Sequence, residues 1–231
     1  MRTLGLIGGM SWESTALYYR MLNQRAKERL GGLHSAKLLL WSFDFAEIEA
    51  AQSAGDWDRA TAMMAEASQR LAKGGAEAIV ICTNTMHRMA DEVEAASGLP
   101  VIHIADAAGK ALRDGGIERP LLLATRFTME QAFYRGRLAD RFGISSVVPD
   151  EAGRAEVHRV IYEELCQGVI SPRSKAGYLD IIARTSAQGC DGVILGCTEV
   201  GLLIGQDDLD LPVFDTTELH AKAAMDFALA D

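Results

Sequence analysis

LAKGGAEAIVICTN (Leu71–Asn84) is matched by SAQGCDGVILGCTE (Ser186–Glu199) later in the chain. In both, an amphipathic segment ends at glycine, apolar residues follow, and the run stops on Cys-Thr. A short apolar run bounded by turn residues and flanked by amphipathic segments is the pattern of a buried parallel strand. The offset between Cys82 and Cys197 is 115 residues, close to half of the 231-residue chain. LPVIHIAD (Leu99–Asp106) and LPVFDTTE (Leu211–Glu218) repeat at an offset of 112, and LGLIGGMSW (Leu4–Trp12) resembles LLLATRFTM (Leu121–Met129) more weakly. The duplication predicts an α/β fold of two pseudo-symmetric parallel-sheet domains. Residues 1–104 with 211–231 would form the first, and residues 105–210 the second.

Apolar runs at Leu4–Ile7, Ala36–Phe43, Ala78–Ile81, Val101–Ile104, Pro120–Ala124, Ser145–Val148, Gly192–Leu195 and Pro212–Phe214 are the expected strands. Helical periodicity fills the segments between them, which is the βαβ rhythm of parallel sheets. Ligands of such sheets bind beyond the C-terminal strand ends. Both Cys-Thr pairs lie there, so two facing halves would bring both thiols to one interdomain cleft.

Composition narrows the function. Asp plus Glu outnumber Lys plus Arg by 32 to 23, for a net charge of −9. An acidic chain without a basic cluster disfavours nucleic acid or an anionic membrane as partner. No run is long enough to span a bilayer, and the N-terminus lacks a signal-peptide pattern. The four cysteines, Cys82, Cys166, Cys190 and Cys197, contain no C-x-x-C pair. They read as reduced thiols of a cytoplasmic protein, with no disulfide framework and no metal site. GLIGG (Gly5–Gly9) departs from the G-x-G-x-x-G dinucleotide fingerprint and fits a tight turn against a small ligand better.

Two thiols on opposite sides of one carbon suit inversion of configuration. One thiolate removes a proton from one face, and the other thiol delivers a proton to the opposite face. A helix N-terminus after each Cys would favour thiolate. Thr83, Asn84, Thr85, Thr125 and Thr198 are candidate donors to a substrate carboxylate and to the enolate formed from it. Glu199 either caps the following helix or raises the Cys197 thiol pKa by its charge. His87 reads as a structural residue on a helix surface or pocket wall, His103 and Asp215 as domain-interface packing or polar contacts, and Cys166 and Cys190 as core or surface thiols.

Together GLIGGMSWEST, CTNTMH, ATRFTMEQAFYRGRL and GCTEVGLL resemble the aspartate/glutamate racemase superfamily, closest to its aspartate racemase and broad-specificity amino-acid racemase branch. The resemblance covers essentially the whole chain. It implies a racemase without cofactor, neither pyridoxal phosphate nor metal, working by two bases in a homodimer. By position, Cys82 and Cys197 resemble the catalytic pair, and Thr83, beside Cys82, is a further acid–base candidate. Thr83, Asn84 and Thr85 match the α-carboxylate site, Thr198 is their counterpart, and Met10 and Ser11 line the pocket. Gly9-Met10-Ser11 and Glu199 depart from the Asp-Ser and His of glutamate racemases. The segment FDFAEIEAAQSAGDW (Phe43–Trp57) lacks the Arg that grips a distal carboxylate and instead offers Gln52 among the acidic residues Asp44 and Glu47. That favours a neutral or polar side chain over aspartate. The alternatives are hydantoin racemisation, maleate isomerisation, decarboxylation of a disubstituted malonate, or a silent protein that binds a small carboxylate.

Overall fold

The computed structural model describes residues 1–230. The chain divides into two compact units, Met1–His103 with the chain from His220 onward, and Ile104–Leu219. Each is built on three parallel strands. In the first, β1 (Leu4–Gly8) lies between β2 (Leu38–Ser42) and β3 (Ala78–Ile81). In the second, β5 (Val193–Gly196) lies between β4 (Leu121–Ala124) and β6 (Val213–Asp215).

Two expected strands contract to single bridges. Val101 pairs with Ile79 beside β3, and Val147 pairs with Leu121 beside β4. Counting these bridges, both sheets have the same spatial order: β2, β1, β3, Val101 in one and Val147, β4, β5, β6 in the other. The repeat seen in sequence is therefore a repeat of sheet topology. The expected boundary at residue 211 needs correction. Val213 and Phe214 pair in register with Val193 and Ile194, so 211–219 belongs with the second unit and the return falls at His220. Backbone pairing decided this, because both Leu-Pro runs carry the same local signal.

Helices cover the sheets. In the first unit α1 (Trp12–Leu30) and the later turns of α11 (Thr216–Leu229) pack Tyr18, Leu22, Ala26, Ala221, Ala224 and Met225 against Leu4, Leu6, Ala78 and Val80. On the other face, α3 (Trp57–Lys73) packs Met64, Ala67 and Leu71 with Ile7, Ile79 and Ile81. The alternation of Leu4/Leu6 with Ile7, and of Ala78/Val80 with Ile79/Ile81, follows the period of two along a strand. In the second unit β4 and β5 are wholly buried among α5 (Ile104–Asp114), α7 (Ala132–Phe142), α8 (Glu151–Glu163) and α9 (Pro172–Ser186).

One helix went unread in the sequence. α2 (Phe45–Ala54) starts on Asp44, whose carboxylate accepts the Ala46 N–H at 3.1 Å, and stops at left-handed Gly55. Both caps are ordinary helix punctuation. They were obscured because Ala, Glu and Gln fill nearly every position and the apolar stripe is faint. Further on, α6 (Arg126–Glu130) is a separate short helix before α7, broken by the extended backbone of Gln131.

The turn after β1 is tightly constrained. Gly9 has φ 80°, and a Cβ there would fall 2.2 Å from the Phe43 carbonyl oxygen. Ser11 follows with φ 151°, the one non-glycine residue with positive φ among those described. Its hydroxyl caps α1 by accepting the Ser14 N–H, and Thr15 Oγ1 accepts the Gly9 N–H at 2.8 Å.

The return into the first unit is held by a buried polar chain. The Tyr18 hydroxyl donates to His220 Nδ1 at 2.8 Å, and His220 Nε2 donates to the Ile102 carbonyl at 2.5 Å. A carbonyl only accepts, so Nε2 carries the proton and Nδ1 is the acceptor.

Two outcomes follow from these contacts. Gly9→Ala, which combines positive φ with a backbone clash, should lower unfolding free energy in urea by about 2–4 kcal/mol. Burial pushes the His220 pKa from 6.5 down to about 4. The unfolded state then binds the proton first, so this contribution to stability is intact above pH 6.5 and lost as pH falls toward 4, about 3 kcal/mol in all. His220→Asn should flatten that part of the urea midpoint against pH.

Candidate active site

Parallel pairing carries β1 and β3 to a common edge. Ile7 pairs with Ile81, and the Cys82 N–H extends the ladder to the Ile7 carbonyl at 2.9 Å. Gly9, Met10 and Ser11 leave that edge from β1, and Cys82, Thr83, Asn84 and Thr85 leave it from β3. Met10, Ser11, Cys82, Asn84 and Thr85 are buried, while Thr83 is partly exposed. Gln52, buried on α2, reaches the same turn from the side, its Nε2 lying 3.0 Å from Met86 Sδ. Asp44 and Glu47 of α2 are exposed, and Asp44 is engaged as a cap. The acidic setting expected for Gln52 is therefore not its actual surroundings.

The segment after Cys82 is a single-turn 3₁₀ helix, Thr85–Met89, followed by α4 (Ala90–Ser97). His87 closes this turn. Its backbone N–H donates to the Asn84 carbonyl at 3.1 Å, and its Nδ1 donates to the Thr83 carbonyl at 2.8 Å. The ring is buried against His103 and His220, with centroid separations of 4.7 and 5.3 Å.

In the second unit Ala124 pairs with Gly196, so Thr125 and Cys197 leave adjacent strand ends. Thr125 caps α6 by accepting the Thr128 N–H. The Cys197 thiol donates to Glu199 Oε2 at 3.0 Å, and the Thr198 hydroxyl donates to the same oxygen at 2.7 Å. Glu199 is only 3 % exposed and makes no side-chain cap to α10 (Val200–Leu203). Of its two expected roles, the structure shows contact with the thiol.

Cys166 is the residue that sequence reasoning passed over. It lies in the short 3₁₀ turn Leu165–Gln167 and hydrogen-bonds to Glu199, so one carboxylate serves two thiols. Cys166 has no partner in the repeat and carried no sequence signal. Cys190 is elsewhere, against the Thr185 carbonyl. Asp215 caps α11 through the Thr217 and Glu218 N–H groups.

Thiol ionisation differs from expectation. Burial pushes the Cys82 thiol far above its usual range. Burial also raises the Cys197 thiol, and the charge of Glu199 raises it further. The helices after both cysteines begin late or are short, so little dipole offsets desolvation. A surface hollow beside Asp91, Glu94, Ala95 and Gly98 contains none of the candidate residues. No helix among the described residues is long and apolar enough to cross a membrane. No group of three or more His, Cys, Asp or Glu among them is placed to hold a metal ion.

Residues 7–224 match the family model Asp/Glu/Hydantoin racemase. The chain belongs to this racemase family. As an isomerase of that family, the racemase is similar along its whole length to a crystal structure of a candidate Asp/Glu racemase from Yersinia pestis. Identity is 55 %, each chain is fully covered, and the TM-score is 0.93. An aspartate racemase homologue from Pyrococcus horikoshii is 32 % identical with full coverage of both chains and a TM-score of 0.85. The broad specificity amino-acid racemase RacX of Bacillus subtilis is 19 % identical over 182 residues, 76 % of this racemase and 75 % of that protein.

The contact between Glu199 and Cys197 has a direct consequence. Glu199→Gln keeps a hydrogen-bond acceptor but removes the charge, so the onset of Cys197 alkylation by iodoacetamide should move to lower pH. Cys82 alkylation, mapped by mass spectrometry in the same samples, should keep its pH dependence.

Proposed function

We propose that this chain is a racemase of free amino acids, working without cofactor, in which Cys82 and Cys197 act on opposite faces of one α-carbon. The observation that carries this reading is that each sheet ends an equivalent inner strand, β3 or β5, on Cys-Thr. In one direction the Cys82 thiolate takes the α-proton and becomes a thiol. The electron pair left on carbon delocalises into the carboxylate as an enolate. The Cys197 thiol then gives its proton to the opposite face and is left as thiolate. The reverse reaction exchanges the roles, and proton exchange with water returns Cys82 to thiolate and Cys197 to thiol before the next forward turnover, so nothing is consumed.

Thr83, Asn84 and Thr85 beside the first thiol and Thr198 beside the second are proposed to hold the α-carboxylate, with Met10, Ser11 and Thr125 completing the walls. Thr83 is also an acid–base candidate through its place next to Cys82. The raised thiol pKa values suit the chemistry. An α-proton next to a carboxylate is weakly acidic, and a thiolate of raised pKa is the stronger base toward it. Fewer thiolates then exist at rest, and the arriving α-ammonium group offsets that by its charge. General acid–base transfer supplies roughly 10²–10⁴-fold, with the remainder from preorganised donors to the enolate.

The names of the Yersinia and Pyrococcus relatives point to aspartate and glutamate, and the Bacillus relative to a wider range. With Asp44 and Glu47 exposed, an acidic side chain is no longer disfavoured, and Gln52 suits a carboxylate as well as an amide. The working substrate class is therefore aspartate, glutamate and polar neutral amino acids. Retention of both thiols weighs against malonate decarboxylation, which needs only one. A cytoplasmic homodimer is the proposed working form.

Incubation with a panel of L- and D-amino acids in D₂O tests this reading. α-Deuterium incorporation with inversion is expected for at least one of the class, and Cys82→Ser and Cys197→Ser should each abolish inversion. Absence of exchange across the panel would favour a protein that binds a small carboxylate without turnover.

A further inference from the structure

Three histidines from three segments of the first unit meet beneath the Cys82 turn. His87 lies in the turn itself. His103 is the last residue before the chain crosses to the second unit, and His220 is the first after it returns. All three are buried, at 2, 7 and 0 % exposure. His87 meets the His103 ring at a tilt and the His220 ring edge-on, and His220 also meets Tyr18 edge-on. Such a cluster is costly to protonate, and burial followed by the neighbouring rings of His103 and His220 holds His87 neutral.

The tautomers are fixed by the groups around the rings. Two carbonyls face His87, those of Thr83 and Ile102; the Ile102 carbonyl already accepts from His220 Nε2, and the Thr83 carbonyl lies 2.8 Å from Nδ1, so Nδ1 carries the proton. Tyr18 donates to His220 Nδ1, and His220 Nε2 donates to Ile102, whose own N–H is tied to the Ile79 carbonyl of β3 at 2.9 Å. The strand that bears Cys82, the Val101–His103 segment and the returning helix α11 are thus joined through imidazoles. In a trans peptide the C=O and the following N–H point in opposite directions. Clamping the Thr83 carbonyl on His87 therefore turns the Asn84 N–H away from the histidine cluster and fixes the Thr83–Asn84 peptide, one residue beyond the thiol.

We propose that His87 is a positioning residue of this racemase: its Nδ1–H holds the Thr83–Asn84 peptide, and through it the direction of the Cys82 thiol and the Asn84 amide. His87 touches no reacting atom in this role. Its link to turnover rests on Cys82 being a reacting thiol, as proposed above, whereas its hold on the turn does not.

The two are separated by measuring thiol alkylation alongside turnover. His87→Leu fills the ring's space but donates nothing, and Cys82 alkylation by iodoacetamide should accelerate about tenfold, the scale of one lost hydrogen bond. Cys197 alkylation should stay at the wild-type rate. His87→Asn places an amide N–H where Nδ1 stood and should restore slow Cys82 alkylation. His87→Gln, whose amide lies one bond further out, should behave as Leu does, and serves if the Leu variant fails to fold. For any amino acid that the wild type racemises, kcat should fall with Leu and Gln and recover with Asn. An unchanged Cys82 rate in Leu and Gln would overturn the proposal. So would equal acceleration of both thiols, or an Asn variant indistinguishable from Gln. If the wild type racemises nothing in the panel, the proposed function fails while the alkylation rates still decide the role of His87.

Discussion

Ile7 and Ile81 pair in parallel register, and the Cys82 amide adds one more rung to that ladder. Everything proposed for the first unit hangs from this arrangement. Parallel neighbours deliver their C-terminal ends to the same edge, so loops distant in sequence emerge side by side. The Gly9–Ser11 turn and the Cys82–Thr85 turn share an edge for this reason. The same rule brings Thr125 next to Cys197 in the second unit, where Ala124 pairs with Gly196. Burial of the strands on both faces fixes the register, because a one-residue slip would exchange the two core faces of β3.

The two strand ends differ in how they treat a thiol. Cys82 is enclosed by apolar strand neighbours and a turn closed by His87. Cys197, partly buried, lies beside a carboxylate that also takes bonds from Thr198 and Cys166. Desolvation raises both thiols, but only the second also faces a negative charge. A duplicated scaffold thus holds two chemically unequal groups. An enzyme acting on mirror-image substrates with opposite preferred directions of proton transfer has a use for that inequality.

Much of this was legible in the chain. The Cys-Thr repeat located β3 to the residue and β5 to within one residue at each end, and parallel sheets followed from the alternation of short apolar runs with helical segments. Less legible was anything set by partners distant in sequence. Val101 and Val147 have good strand composition but form single bridges, since hydrogen bonding to one neighbour does not extend far enough to make a strand. α2 escaped notice because its helical signal lies in its caps rather than in an apolar stripe. The expected lowering of thiol pKa assumed a helix N-terminus at each cysteine, where the structure has a 3₁₀ turn and a four-residue helix.

By itself the sequence determined the duplication, the α/β class and the two thiols, because each is written in local pattern: apolar period, glycine placement and a repeated Cys-Thr. The tertiary structure alone decided that residues 211–219 stay with the second sheet, that Glu199 meets Cys197 and Cys166, and that His87, His103 and His220 gather under the first thiol. These depend on which backbone groups pair and which side chains share a buried volume. Such choices are made between segments up to 133 positions apart, as His87 and His220 are, and no local pattern records them.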